Sequence, residues 1–290
     1  MSIGIKPGKR DRLWQGAVIG LPYAWLLLFF LAPFAIVFKI SFADPIMAQP
    51  PFTPLLDWGA ESGKQLLGTL DKYRCLLEDK LYWLSYLKSI KIAAISTLLC
   101  LLLGFPMAYA IARTPQPWRN LLLLLVILPF WTSFLLRVYA WMVMLGKQGL
   151  VNQLLLKLGI VDAPLQMLYT DGAIYLGIVY TYVPFMILPL YATLEKLNLD
   201  LHDAAADLGA RPSQVFRDIT LPLAAPGIIA GCLLVFIPAL GEFVIPSLLG
   251  AMDSLMIGRT LYDEFFVNQD WPLASAVAVV MLFLLLVPIM

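Results

Sequence analysis

The sequence predicts an all-α, polytopic integral membrane protein with six transmembrane helices. Three observations carry that expectation. Of the 290 residues, 61% are hydrophobic and only 13% are Asp, Glu, Lys or Arg, whereas soluble domains are about 25% charged. Mean hydropathy is +0.83. Six apolar stretches reach the roughly 20 residues that a helix rising 1.5 Å per residue needs to cross about 30 Å of hydrocarbon. So little charge cannot clothe a water-facing surface, which excludes an ordinary soluble enzyme, a disordered chain and a secreted disulfide domain. A net charge of +1 offers no basic field for nucleic acid. Cys75, Cys100 and Cys232 are too scattered to read as a metal spacing or a disulfide framework.

The stretches run approximately 17–40, 89–112, 120–145, 172–194, 223–249 and 272–290. Residues 1–16 are expected to be a cytoplasmic N-terminus and 17–290 the transmembrane domain. The first stretch follows Lys6, Lys9, Arg10 and Arg12, as a secretory signal would, but its apolar run is too long and no small-residue cleavage site follows. It reads as an uncleaved span. With the N-terminus inside, the cytoplasmic pieces 1–16, 113–119 and 195–222 hold Lys6, Lys9, Arg10, Arg12, Arg113, Arg119, Lys196, Arg211 and Arg217. The opposite loops are almost twice as long and hold one basic residue fewer, a bias that favours this orientation. An even number of spans returns the C-terminus to the cytoplasm.

The outer loop 41–88 contains Pro45, Pro50, Pro51 and Pro54, then Asp57, Trp58, Tyr73, Tyr82 and Trp83. It reads equally as a lid or docking element and as a loop of no special role. Residues 150–158 have the pattern of a short amphipathic helix at the outer interface. Pro22, Pro33, Pro106, Pro129, Pro184, Pro189, Pro238 and Pro246 sit in or at the edges of spans. Each removes a backbone hydrogen bond, and as a set they suit a protein that moves or lines a wet cavity.

Charges at depth are few. Arg137 in the third stretch and Glu242 in the fifth are expected in the outer half of the membrane. An unpaired charge there is costly, so they read either as a mutual ion pair or with Glu242 facing a permeation path and a cation. Trp131, Phe134, Tyr139 and Trp141 crowd the same half, with Tyr180, Tyr182 and Phe185 in the fourth stretch. They fit an interfacial aromatic belt or a cation–π lining for an amine; periodicity does not separate the two.

The longest inner loop, 195–222, reads Asp203-Ala204-Ala205-Ala206-Asp207-Leu208-Gly209, then nine residues, then Ile219-Thr220-Leu221-Pro222. Leu201 to Leu208 predict a short helix with an alanine side. Gly209 suits its left-handed end. Pro212 suits the first turn of a second helix, and Pro222 is expected just before the next span. A plain amphipathic connector is the competing reading.

This spacing resembles the Glu-Ala-Ala, three residues, Gly, nine residues, Ile-x-Leu-Pro motif of permease subunits of bacterial ATP-binding-cassette importers. Asp203 stands for the usual Glu and keeps its charge; Ala204, Ala205, Gly209, Ile219, Leu221 and Pro222 all match. The resemblance extends through Ile127-Leu-Pro-Phe-Trp-Thr-Ser-Phe-Leu-Leu-Arg137, Tyr182-Val-Pro-Phe-Met186, Gly241-Glu-Phe-Val-Ile-Pro246, Met256-Ile-Gly-Arg259 and Asp270-Trp-Pro272, which look like polyamine importer permeases.

The resemblance implies a type I importer permease fold in the bacterial inner membrane, with 195–222 as the loop that docks on the ATPase. It also implies the partners: an ATPase dimer, a second unlike permease completing a heterodimeric pore, and a periplasmic polyamine-binding protein. No Gly-x-x-x-x-Gly-Lys-Ser/Thr loop occurs, so ATP and Mg are expected on the separate ATPase, with no cofactor, metal or catalytic residue in this chain. His202, the one histidine, is given no catalytic role.

The implied cargo is putrescine first and spermidine second. Glu242 is the in-membrane candidate for meeting the cation, Asp263 and Glu264 lie near the last outer loop, and Arg137, Trp131, Tyr139 and Tyr182 are further candidates for the path. Sulfate, molybdate or ferric iron are alternative cargoes, and only Arg137 speaks for an oxyanion. A gradient-driven transporter would call for inverted repeats and several midplane charges; an intramembrane enzyme would call for clustered His, Asp or Ser groups. Neither pattern stands out.

Overall fold

The computed structural model describes residues 9–53, 56–57, 65–66, 70–198, 200–251 and 254–286. Lys6, Pro54, Trp58 and positions 287–290 lie outside them. The helices, in chain order, are α1 (Lys9–Leu26), α2 (Ala32–Ile40), α3 (Asp71–Glu78), α4 (Lys80–Arg113), α5 (Trp118–Ile127), α6 (Phe134–Leu145), α7 (Leu150–Lys157), α8 (Asp171–Leu194), α9 (Asp200–Asp207), α10 (Pro212–Val215), α11 (Leu221–Leu240), α12 (Val244–Leu249), α13 (Ile257–Tyr262) and α14 (Trp271–Leu286). The described extended structure amounts to a two-residue antiparallel pair, β1 (Leu56–Asp57) with β2 (Gln65–Leu66), in which Leu56 faces Leu66, and an isolated antiparallel bridge between Pro45 and Phe52. The fold is all-α, as the composition predicts.

Four stretches are helical and apolar over a membrane's thickness: Val18–Ile40, Lys80–Arg113, Asp171–Leu194 and Pro212–Leu240. Trp271–Leu286 is a shorter apolar helix. Three sequence expectations need correction. The second helix begins at Lys80, where Asp79 caps it by accepting from Leu81 N at 2.9 Å, so Tyr82 and Trp83 belong to a helix rather than to a loop. The third stretch is not one straight helix: Trp118–Trp131 and Phe134–Lys157 are bent by 88° at the break between them. The fifth runs over 212–240 rather than 223–249, and breaks at Gly241.

The break in the third stretch has a local cause. Leu128–Trp131 tightens into a 3-10 turn around Pro129, and Thr132 and Ser133 are extended. The Pro129 carbonyl then accepts from Thr132 N at 3.3 Å, Thr132 Oγ1 at 2.8 Å and Arg137 Nη1 at 2.7 Å. That satisfies a carbonyl which the bend has freed from the helix ladder.

Two compact units are distinguished. One comprises residues up to Glu78 together with 263–288, and the other Asp79–Tyr262. In the first, α1 passes through a π turn (Leu27–Leu31) into α2, and no residue of Val18–Ile40 is fully buried within the chain. Ser41 bridges Phe38 O and the Tyr73 hydroxyl, each at 2.7 Å, and burial pushes the Tyr73 phenol above its ordinary value against the pull of that hydrogen bond. Trp271 stacks on Phe265 at 4.9 Å and meets Phe52 at 6.2 Å. Lys72 pairs with Asp270 at 3.2 Å.

The second unit is built on α4, α8 and α11. Their shared core contains Cys100, Ala108, Ile111, Met186, Ile187, Leu190, Ala224 and Val235. Small residues let the backbones approach, the usual device where lipid supplies no hydrophobic drive between helices. Met186 of α8 fills a notch left by two glycines. A Cβ on Gly104 would stand 2.9 Å from Met186 Cγ, and one on Gly231 would stand 2.6 Å from its Sδ. Below it, Gly227 faces Thr193, whose Oγ1 would lie 2.6 Å from an added Cβ. Thr170 caps the start of α8 by accepting from Ala173 N. The expected amphipathic helix at 150–158 is α7; buried Asn152 donates to Gly146 O and Leu165 O and accepts from Leu165 N, tying it to the following loop.

Candidate functional site

The first candidate is a cavity of about 430 Å³ where the two breaks of the second unit meet. Its polar lining is Arg137, Thr181, Tyr182 and Glu242, and its apolar lining includes Phe130, Phe134, Phe185 and Phe243. Glu242 sits in the non-helical segment between α11 and α12 and is 7% exposed. Its Oε1 accepts from Val244 N at 3.1 Å and Ile245 N at 3.4 Å, so the carboxylate caps α12. Its Oε2 accepts from the Tyr182 hydroxyl at 2.5 Å.

Arg137 does not pair with Glu242. Its Nη1 donates to Pro129 O, its guanidinium lies 5.4 Å from the Phe130 ring centre, and its Nε is buried without a partner. Each charge is held by its own break and both line one cavity. The other predicted path residues are dispersed. Trp131 and Tyr139 lie outside the lining and are 74% and 48% exposed. Asp263 and Glu264 open a π turn (Asp263–Val267) in the first unit, where Glu264 accepts from Asn268 Nδ2 at 2.9 Å. Phe134 and Phe185, which the sequence offers as belt or cation–π lining, do line the cavity, whereas Phe130 and Thr181 line it without any sequence reading as path residues. Neither carries a local signal: Phe130 lies on the far side of the helix break from Arg137, and no charged residue stands within a helical turn of Thr181.

The second candidate is the helical loop between α8 and α11. α9 carries Asp203, Ala204 and Ala205, with Asp203 and Ala204 exposed. Gly209 has φ +81° and open space around its missing Cβ. The chain closes there with Gly209 N donating to Ala206 O and Ala210 N to Ala205 O, the hydrogen-bond pattern of a left-handed helix end. Pro212 opens α10, whose start is steadied by Arg211 N donating to Gln214 Oε1 at 2.7 Å. The predicted helix, turn and second helix are all present.

Pro222 differs from expectation. It does not precede a span but lies inside one, because α10 passes through a π turn (Phe216–Thr220) directly into α11. The wider i→i+5 turn makes room where a proline ring would strike the carbonyl four residues back. The same arrangement precedes Pro33, with Leu27–Leu31 as the π turn. Ile219 is half-buried, and Leu221 and Pro222 are exposed. The described residues hold no cluster of three or more His, Cys, Asp or Glu suited to a metal.

A family described as "binding-protein-dependent transport system inner membrane component" matches residues 100–290. The chain is 40% identical over 271 residues to the spermidine/putrescine transport system permease protein PotB of Salmonella typhimurium (strain SL1344), covering 93% of this chain and 90% of that one. To the PotB protein of Escherichia coli (strain K12) it is 41% identical over 255 residues, 88% of each chain. Its fold is similar to a chain in the crystal structure of a bacterial alginate ABC transporter in complex with an alginate pentasaccharide-bound periplasmic protein. That likeness has a TM-score of 0.66 at 20% identity and covers 97% of this chain and 92% of that one. The chain therefore belongs to the binding-protein-dependent transport system inner membrane components, and is a multi-pass permease subunit of an ATP-binding-cassette importer rather than an enzyme.

Proposed function

We propose that the chain is the permease through which a polyamine, putrescine first and spermidine second, enters the cytoplasm by alternating access. The observation that carries this reading is the 40% identity to a spermidine/putrescine permease over 93% of the chain. The cavity supports it. A flexible polycation needs a carboxylate to replace lost hydration, with aromatic faces beside its methylenes and ammonium ends. Glu242 supplies the carboxylate, and Tyr182, Phe185 and Phe243 the faces. Arg137, fixed on Pro129 O, would repel an ammonium and so orient a diamine towards Glu242.

In this reading 195–222 is the coupling loop, and Asp203, Ala204, Ala205, Gly209, Ile219, Leu221 and Pro222 form the docking element for an ATPase dimer that holds ATP and Mg. A second, unlike permease completes the pore, a periplasmic polyamine-binding protein delivers the cargo, and both termini of this chain face the cytoplasm. Trp131, Tyr139, Asp263 and Glu264 act outside the cavity, in contacts with lipid, with the second permease or with the binding protein.

The test is uptake of labelled putrescine and spermidine by cells lacking the system, restored with this permease and its partners. ATP-dependent uptake of either amine is the expected result. If neither amine enters while the assembled complex still hydrolyses ATP, the polyamine reading fails. The unpartnered Nε of Arg137 on the same cavity favours one second reading, an oxyanion cargo, and labelled sulfate and molybdate in the same assay decide between them.

A further inference from the structure

We propose that His202 is a positioning residue that latches the coupling loop to the membrane helices, so that movement of α9 is carried into α4 and α11. The proposal rests on the reading of 195–222 as the ATPase-coupling element. His202 lies on α9 beside Asp203, half-buried, while Asp203, Ala204, Ala206 and Asp207 face outward. Its Nδ1 is 2.9 Å from Arg113 Nη2 at the last residue of α4. Its Nε2 is 3.1 Å from Oγ1 of Thr220, a buried residue that ends the π turn before α11.

The chemistry fixes the direction of both bonds. A guanidinium only donates, so Nδ1 accepts from Arg113; the ring proton is on Nε2 and is given to Thr220. A lysine, an amide rotated the wrong way or an aliphatic side chain cannot make both bonds. Among the described residues, the other side-chain hydrogen bonds of α9 do not reach another helix. His202 therefore concentrates the polar connection of that helix in one ring. Both partners are themselves braced. The Arg113 guanidinium lies 5.1 Å from the Tyr109 ring centre one turn earlier on α4. The π turn is held against α4 a second time, by Phe216 edge-on to Phe105 at 5.6 Å. A push on the outward face of α9 thus meets a stiff ring whose two nitrogens are tied to two spans, the rigid link that transmission between sites requires.

The importer, purified with its ATPase, second permease and binding protein and placed in vesicles, supplies the readout: labelled solute imported per ATP hydrolysed, with whichever of putrescine or spermidine the unmodified complex carries. His202→Ala should leave the ATPase bound and hydrolysing while import per ATP falls about fivefold or more, the lower end of measured coupling between sites. His202→Asn preserves the acceptor towards Arg113 and His202→Gln the donor towards Thr220, so each should recover part of the loss.

An unchanged ratio in His202→Ala, or full recovery by one amide alone, overturns the two-sided latch. If His202→Ala does not assemble, Thr220→Val removes the acceptor without changing shape, and a normal ratio there overturns it equally. Failure of the latch is distinguishable from failure of the docking reading. A latch that fails leaves ATPase binding sensitive to Gly209→Asp; a docking reading that fails leaves ATPase binding and coupling intact in Gly209→Asp itself.

Discussion

The two ends of the long helix over 212–240 invert what the residues suggest. In its first half stands Pro222, expected to separate a loop from a span, yet the helix runs through it. At its end stands the apolar run Gly241 to Leu249 with one charge, expected to continue as a helix, yet the chain breaks at Gly241 and restarts as α12. Proline is absorbed because a π turn two residues earlier moves the offending carbonyl aside, and the helix loses little. A carboxylate at depth is not absorbed in the same way. A straight helix has no free N–H to offer it, whereas a break exposes the donors of Val244 and Ile245, and the neighbouring helix adds the Tyr182 hydroxyl. The cost of a charge, not the presence of a helix breaker, decides where this helix stops.

That contrast is sharpened most by Glu242→Gln. The amide oxygen can still accept from Val244 N, and the amide NH2 can donate to the Tyr182 hydroxyl oxygen in place of the bond that Tyr182 gave, so assembly should survive. Loss of the negative charge should reduce amine import about tenfold or more, equivalent to ~1.4 kcal/mol or more. Normal import by a correctly assembled variant would reduce Glu242 to a helix cap. The next largest effect is expected at the other end, from Gly209→Asp. It forces a side chain into left-handed backbone at φ +81°, at a cost of about 1–2 kcal/mol, and places a bulky charge on the exposed turn. Co-purification of the ATPase should fall about fivefold or more; retention at the unmodified level would argue that the turn is not a docking surface.

Gly231→Leu strikes between the two ends. Its side chain collides with Met186, so the thermal midpoint should drop by the equivalent of about 1–3 kcal/mol, the range for overpacked cores. Import should fall only as far as the amount of folded protein falls. A selective loss of transport at unchanged stability would show that this seam moves during the cycle. The smallest effect is expected from Arg217→Ala. Arg217 and Asp218 pair at 2.7 Å but are 73% and 55% exposed. Such pairs contribute little in water, and the thermal midpoint should not move.

Much of the coupling loop was legible in the residues because its signals are local. A left-handed turn needs Gly209, a helix start suits Pro212, and the alanines of α9 leave an approachable face; each demand is met within a few positions. Arg113, His202 and Thr220 were not legible as a group. They are separated by 89 and 18 positions, and a lone histidine carries no spacing signal. The Arg137–Glu242 pair, one of two readings open from sequence, gives way for a similar reason. Residue count gives depth only along a straight helix, and both stretches break before they reach Arg137 and Glu242.

By itself the sequence determined the class of solvent, the all-α fold, the positions of most helices and, through one spacing motif, the family. These follow from burial of apolar groups and satisfaction of the backbone, which act along the chain or over a few turns. Only the tertiary structure decided where helices break, which aromatics share a cavity with Arg137 and Glu242, and that His202 ties α9 to two spans. Those depend on free donors and close approaches supplied by segments far away in the chain, such as the Tyr182 hydroxyl reaching Glu242 sixty positions on. No local pattern encodes a partner that only packing brings within 3 Å.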